Sequence, residues 1–268
     1  MRIFRAGLLK LLPRPATWVT LGILLALITL IFLAIGASSG QMRSQPGGER
    51  ALDILRFPAA YASVLSFILG LGGLLAVIYG AAIAGSEWTW GTLKNAVARG
   101  EGRVSYMILT FAAVAVLTGI GMLVAFAVGV GVAAVGAGLA GLPTTGIGDG
   151  ATLSALPEKL ARSWLAITEE AALGFAIATI ARSQLAGIGA GIAIYFGESF
   201  ATLFLPDIIK FLPFNAASAV IETTGGGGFG GGTIARLDPG AAIVVVVAWL
   251  VGAMVVAAVA TERADIGG

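Results

Sequence analysis

The longest uncharged stretch of this chain is the feature that most restricts its fold. From Val104 to Gly148 no residue carries a formal charge, a run of 45 residues, and other long apolar runs lie on both sides of it. Only 11% of the residues are charged, whereas a soluble domain has about 25%. A surface with so little charge must face lipid, where only helices or closed barrels satisfy the backbone. Because the runs are continuous rather than alternating segments of ~10 residues, the sequence predicts an all-α integral membrane protein.

Six transmembrane helices are predicted, since about 20 apolar residues cross the ~30 Å hydrocarbon core. One transmembrane domain, residues 1–268, would contain spans at 17–36, 61–84, 106–133, 164–181, 185–205 and 240–260. Two alternatives remain for residues 104–148. One is a single span with a glycine-rich tail, and the other is two spans joined at Thr118–Gly121. A single span is favoured because that turn has almost no polar side chain to place at the interface.

The first 14 residues predict a short amphipathic helix that lies in the membrane surface. Its apolar side chains recur at helical spacing and its cations lie mostly on other faces, toward lipid head groups. Those cations are Arg2, Arg5, Lys10 and Arg14, and they directly precede the first span. Lysine and arginine concentrate in cytoplasmic segments. We therefore expect a multi-pass protein of the cell (plasma or inner) membrane, with both termini in the cytoplasm.

The loop of residues 85–103 contains the most informative local pattern. A glutamate is followed by a Gly-Thr pair and then by a basic stretch, at Glu87, Gly91, Thr92, Arg99, Gly100 and Arg103. This order resembles the loop after the second span in permeases of the ABC-2 type exporter family. The resemblance extends over the whole chain. It includes the amphipathic start, six spans, and a long outer segment, residues 206–239, before the last span.

The resemblance implies the membrane-spanning permease subunit of an ATP-driven exporter. In that family the loop forms a short cytoplasmic coupling helix that docks on a separate ATPase subunit. Two ATPase copies and a second permease, identical or different, would complete the assembly. ATP and Mg²⁺ would then bind the ATPase, with no cofactor on this chain. The residues implied in coupling are Glu87, Trp88, Trp90, Gly91, Thr92, Lys94, Arg99 and Arg103.

The side chains of this loop are compatible with docking. Trp88 and Trp90 offer rigid aromatic area of the kind that anchors protein interfaces. Glu87 and Lys94 would then pair with the partner at the rim of the contact. The alternative is that the two tryptophans belong to an interfacial aromatic belt.

Catalysis and metal binding by this chain are not expected. There are no histidines or cysteines, which excludes histidine and thiolate metal sites and catalysis that depends on histidine. The segment closest to a phosphate-binding loop, Gly225–Gly232, lacks the required lysine and is expected to be a flexible loop. The pair Glu169–Glu170 is similar to the double glutamate of intramembrane CAAX-type proteases, but Gly174 stands where that family needs arginine. Nucleic-acid binding is not expected either, because no basic run occurs.

Three carboxylates interrupt apolar runs: Glu169, Glu170 and Glu198. At 1.5 Å per residue, they lie about 18–22 Å along their helices from the turn at Arg182, in a similar layer. With Thr168, they would form a polar layer of the export path, because ionisable groups within spans usually face the bundle interior or a cavity. The alternative is that they lie near the outer interface and snorkel or pair with Lys159 or Arg162.

Small residues predict close helix contacts on two spans. The ridges are Ala76, Gly80 and Ala84 on the second span and Gly187 and Gly191 on the fifth. Either ridge would serve as a dimer seam or as packing within one subunit.

Two other functions remain open. One is a non-transporting six-span scaffold or signalling subunit, and the other is a secondary transporter, which would show mid-membrane polar sites and broken helices.

Overall fold

Every regular element is helical in the computed structural model, which describes residues 2–221 and 236–264. The prediction of an all-α fold is confirmed for these residues. The α-helices, α1 to α13 in chain order, are Arg2–Leu11, Pro15–Ala37, Ser39–Arg43, Gly48–Leu52, Ala59–Phe67, Gly73–Thr89, Thr92–Ala98, Arg103–Leu139, Gly150–Ala181, Gln184–Ala201, Pro206–Ile209, Pro213–Ser218 and Pro239–Glu262.

Five helical segments in the described residues are long and apolar enough to cross a membrane. They are α2, the continuous α5–α6 segment Ala59–Thr89, α8, α9 and α13. The fifth predicted span corresponds to α10, which has 18 residues and is not among the five. Its polar residues Gln184 and Glu198, together with four glycines, lower its hydropathy.

The long uncharged stretch forms one helix rather than two. Helix α8 continues for 37 residues without a break, through the position of the alternative turn. It ends near Gly141, whose φ of 64° reverses the chain. Helix α9 has 32 residues and begins well before the predicted span at residue 164.

Local sequence explains how α9 begins and ends. The Asp149 carboxylate accepts hydrogen bonds from the Thr152 amide at 2.8 Å and the Thr152 hydroxyl at 2.6 Å, as an N-cap does. The bond from the hydroxyl and then that from the amide lower the pKa of Asp149. At the other end, Arg182 is left-handed with φ 50°, and the Ser183 hydroxyl accepts from the Ala186 amide to cap α10.

Close packing of α6 with α9 and α10 forms the centre of the bundle. A Cβ on Gly80 would overlap the Ala171 carbonyl oxygen of α9, and one on Gly174 would overlap the Val77 carbonyl oxygen of α6. On α10, Gly187 lies against the Ala178 backbone. The dimer-seam interpretation of the two small-residue ridges is therefore wrong, because Gly80 and Gly187 already meet helices of their own chain.

The N-terminal helix and the end of α13 lie at the same end of the bundle. The Arg103 guanidinium, at the start of α8, donates to the Ala264 carbonyl oxygen at 2.9 Å. Gly85, near the end of α6, lies against the Gln184 backbone at the start of α10. Contacts of α1 with α8 complete this end. The site described below lies here.

The segment before α13 is described only in part. Helices α11 and α12 occupy its first half, and the Trp249 indole of α13 donates to the Phe211 carbonyl oxygen at 2.9 Å. The glycine-rich run Gly225–Gly232 lies outside the described residues.

Two neighbouring glycines of α10 test this packing. We expect Gly187→Ala to lower the free energy of unfolding by about 1–3 kcal/mol, since its Cβ has no room. Gly189→Ala, whose Cβ would meet nothing within 4 Å, should raise it by roughly 0.5–1 kcal/mol through helix propensity. Unfolding of the purified chain in detergent measures both changes. Equal effects of the two substitutions would contradict the close contact.

Candidate functional site

A buried carboxylate at the end of α6 joins five helices. Glu87 is fully buried, and its oxygens accept from Lys10 Nζ at 2.7 Å and from Arg14 Nη2 at 2.9 Å. The Tyr106 hydroxyl of α8 donates at 2.6 Å, and the Thr92 hydroxyl of α7 donates as well. One carboxylate thereby connects α1, the start of α2, α6, α7 and α8. We call these five residues the Glu87 cluster.

The glycine of the loop motif brings α7 back to Glu87. Gly91 adopts φ 64°, a left-handed conformation that glycine takes without steric cost. The chain therefore reverses after α6, and Thr92 begins α7 beneath the end of the preceding helix. The Thr92 hydroxyl also lies 3.2 Å from the Glu87 carbonyl oxygen. The spacing of glutamate, glycine and threonine therefore has a local structural cause.

The cations of the Glu87 cluster are withdrawn from water to different degrees. The Arg14 side chain is 10% exposed and that of Lys10 is 34% exposed, and Arg14 Nη1 also donates to the Ser86 hydroxyl at 2.6 Å. Burial is the largest cause that lowers the pKa of Lys10, against the opposing hydrogen bond from Lys10 to Glu87. The positive charges of Arg14 and Arg99 lower it further. Removing either sign of charge would leave the other buried without compensation.

Two expectations about charged side chains at this end are wrong. Glu87 does not pair with a partner at the rim, because its carboxylate is enclosed and held by its own chain. Lys10 and Arg14 are not directed solely at lipid head groups, because both pair with Glu87. Sequence reasoning missed Lys10, Arg14 and Tyr106 as members of the site. The available signal was an acid at the end of an apolar span, which needs a counter-charge, together with a cluster of cations before the first span.

The two tryptophans of the loop differ in exposure. Trp90 is 63% exposed, with the Arg14 guanidinium 5.1 Å from its ring centroid. Trp88 is half-buried, and the guanidinium of Arg182 lies 5.4 Å from its ring. Trp90 is therefore the aromatic side chain that a partner would meet. On α7 itself, Lys94 is exposed.

The remaining predicted coupling residues flank α7. Arg99 follows its last residue and is exposed. Arg103 is the first residue of α8 and binds the end of α13. Of the eight predicted residues, Glu87 and Thr92 contact each other directly, while Arg103 does not join the Glu87 cluster.

The three intramembrane acids form a second buried group. Glu169 and Glu170 on α9 and Glu198 on α10 are all buried and lie close enough to interact electrostatically. Neither oxygen of Glu169 has a hydrogen-bond partner within the described part of the chain. One oxygen of Glu198 accepts from the Asn215 backbone amide at 3.2 Å and side-chain amide at 3.0 Å.

The snorkelling alternative for these acids is wrong. Their side chains are enclosed by the protein, and within residues 2–221 and 236–264 none of them forms a salt bridge. Arg162 pairs instead with Glu158, one turn earlier on the same helix. Thr168, predicted with them, is also buried, and its hydroxyl has no partner among the described residues.

The acids lie beside an irregular segment of the second span. Residues Ile68–Gly72 form a π-helical turn between α5 and α6, and a Cβ on the next residue, Gly73, would overlap the Glu170 carboxylate. Such turns occur frequently at functional sites. No group of three or more acidic side chains in the described residues has an arrangement that would hold a metal ion.

Comparison with known proteins adds no relative to these observations. The chain matches no protein-family profile and no curated protein.

The Glu87 cluster predicts a large effect of removing its carboxylate. Glu87→Ala should lower the free energy of unfolding by about 3–5 kcal/mol, since it leaves the charges of Lys10 and Arg14 buried without a partner. Glu101→Ala is the matched control, because this loop carboxylate forms no ion pair in the described structure, and we expect a change within about 0.5 kcal/mol. Unfolding in detergent measures both. Similar losses for the two variants would show that Glu87 does not hold this end together.

Leucine substitutions of two buried acids should change the free energy of unfolding in opposite directions. Glu169→Leu removes a buried carboxylate without partners and should raise the free energy of unfolding by about 1–3 kcal/mol. Glu198→Leu removes the acceptor of Asn215 and should lower it by about 1–3 kcal/mol. The same unfolding measurement applies, and changes of equal sign would contradict the hydrogen bonding described here.

Proposed function

We propose that this chain is the membrane-spanning permease subunit of an ATP-driven exporter of the ABC-2 type. The observation that carries the proposal is the attachment of a short loop helix, α7, to the first helix and to two spans through one buried carboxylate. A separate ATPase subunit would dock on the exposed side of this loop. ATP and Mg²⁺ would bind that subunit, which would be present in two copies.

The Glu87 cluster is suited to transmit a displacement. A force on α7 acts on Thr92, and through Glu87 it reaches Lys10 in α1 and Tyr106 in α8. Packed and ionic contacts of this kind move as a unit rather than bending individually. The exposed indole of Trp90 and the exposed ammonium of Lys94 would form the contact with the ATPase.

We also propose α10 as a sixth crossing. Its first residue packs at the end of the bundle where α6 ends, and α13 finishes at that same end. Because α13 must begin at the opposite end, the chain has to cross once more between Arg182 and Asp238. Six crossings put both termini on one side, and the cations before α2 favour the cytoplasm of a cell membrane.

A second permease, identical or different, would complete the translocation path. The seam between the two copies would lie away from Gly80 and Gly187, whose faces are occupied within one chain. The buried layer of Thr168, Glu169, Glu170 and Glu198 would border the path after α9 and α10 separate from α6. In the described conformation this layer is closed.

A secondary transporter is the second candidate, and one observation favours it. Buried carboxylates beside a π-helical turn are similar to the polar site and irregular helix expected of that class. Such a protein would work without an ATPase. Co-purification therefore discriminates between the two candidates.

The docking proposal predicts selective loss of an ATPase partner. The tagged full chain, co-expressed with its neighbouring genes and purified in mild detergent, should retain a subunit that contains a Walker motif and hydrolyses ATP. We expect Trp90→Ala to weaken its retention about ten-fold or more, because exposed aromatic anchors carry much of the binding energy. Glu87→Ala should weaken it too, by displacing α7.

Trp18→Ala is the matched control for docking. Trp18 is also largely exposed, at 60%, but lies at the start of α2 outside the loop, so retention should be unchanged. Absence of any ATPase from the folded wild-type sample would reject the exporter in favour of a scaffold or a secondary transporter. Equal losses with Trp18→Ala and Trp90→Ala would reject the loop as the docking site.

A further inference from the structure

A cavity lies between the N-terminal helix and the loop helix. It has a volume of about 280 Å³ and lies between α1, α7 and the start of α8. Most of its lining surface is apolar, and its polar side chains are those of Lys10, Thr92, Asn95, Arg99, Glu101, Tyr106 and Thr110. Thr92 and Tyr106 are engaged with Glu87 behind the cavity wall. The side chains that remain for a ligand lie mainly on the loop of residues 95–101.

The charges that line this cavity are incompletely paired. Arg99 and Glu101 form no ion pair and no side-chain hydrogen bond within the described part of the chain, and the Asn95 amide also has no partner there. The charge of Arg99 acts unfavourably on Lys10 across the cavity. Lys10 and Arg14 both pair with Glu87, so these three side chains keep one excess positive charge beside Arg99 and Glu101.

The cavity lies at the level expected for lipid head groups. Helix α2 begins, α6 ends and α8 begins at this end of the bundle, and Tyr106 and Thr110 of α8 line the cavity. Leu9 of α1 is 70% exposed, and the exposed Trp18 at the start of α2 donates its indole N–H to the Leu12 carbonyl oxygen. Exposed leucine and tryptophan side chains of this kind mark the boundary between hydrocarbon and head groups.

We propose that this cavity binds the phosphoethanolamine head group of a membrane lipid. Arg99 would bind the phosphate, which the excess positive charge of Lys10, Arg14 and Glu87 would also attract, and Glu101 would accept hydrogen bonds from the primary ammonium. The Asn95 amide would donate to a remaining phosphate or ester oxygen. The bound lipid would thus bridge α1 and α7. This inference requires only that the chain lies in a membrane, and it does not depend on the proposed transport function.

The lining distinguishes this head group from other phospholipids. A choline head group has the same phosphate for Arg99. It has no N–H, so it would form no hydrogen bond with Glu101. A phosphoglycerol head group has no positive charge and would leave the Glu101 carboxylate without a cationic partner. The combination of one carboxylate, Glu101, with one guanidinium, Arg99, therefore matches a zwitterion that carries a primary amine.

Native mass spectrometry of the full chain in detergent tests the proposal with defined lipids. Dioleoylphosphatidylethanolamine should bind about five-fold more tightly than dioleoylphosphatidylcholine, as expected for one partly exposed ionic contact. Arg99→Gln should lower the affinity for each lipid about five-fold and leave the ratio of the two affinities unchanged. Glu101→Gln should abolish the preference and bring the ratio to about one.

Two controls separate this site from general lipid adhesion and from a soluble ligand. Lys94→Gln removes an exposed cation of α7 that does not line the cavity. This substitution should leave the affinity for both lipids unchanged. Free phosphoethanolamine in solution should not displace the lipid, because it lacks the acyl chains. Equal binding of the two lipids by wild type, equal effects of Lys94→Gln and Arg99→Gln, or displacement by free phosphoethanolamine would each overturn the assignment.

Discussion

The cost of burying a charge among membrane helices organises one end of this protein. Glu87 lies at the end of α6 with no access to water. An unpaired carboxylate buried there would cost a large amount of free energy. It is stabilised because Lys10, Arg14, Thr92 and Tyr106 all converge on it. Five helices must therefore meet at one point. The position of the loop helix α7, the cavity beside it and the proposed docking face all depend on this convergence.

Close approach of helix backbones is the second constraint, and it acts deeper in the bundle. Lipid provides no hydrophobic force between helices, so association depends on packing of small residues. Gly80 and Gly174 allow α6 and α9 to touch at their backbones, and Gly187 does the same between α9 and α10. The same contact brings the α9 and α10 acids together beside Gly73. The bundle is thus closed around carboxylates that face neither lipid nor water.

The sequence predicted the helical class and most of the span positions, but its residue roles were less reliable. Apolar runs located α2, α6, α8, α9 and α13 because span length depends on local composition alone. The ridges of Gly80 and Gly187 were recognised, although their partners were not, since a small residue does not specify which helix approaches it. Glu87 was singled out as a site residue, yet its expected rim contact was wrong because its counter-charges come from a segment about 75 residues earlier in the chain.

The sequence by itself determined that the chain is a bundle of apolar helices with a Gly-Thr turn after the second span. Those features follow from hydrogen bonds and conformations within a few residues of one another. Only the tertiary structure decided that Lys10 and Arg14 face Glu87, that α9 and α10 enclose their acids, and that Arg99 and Glu101 share a cavity. Each of these depends on which helices become neighbours, and that is decided by packing of side chains far apart in the chain.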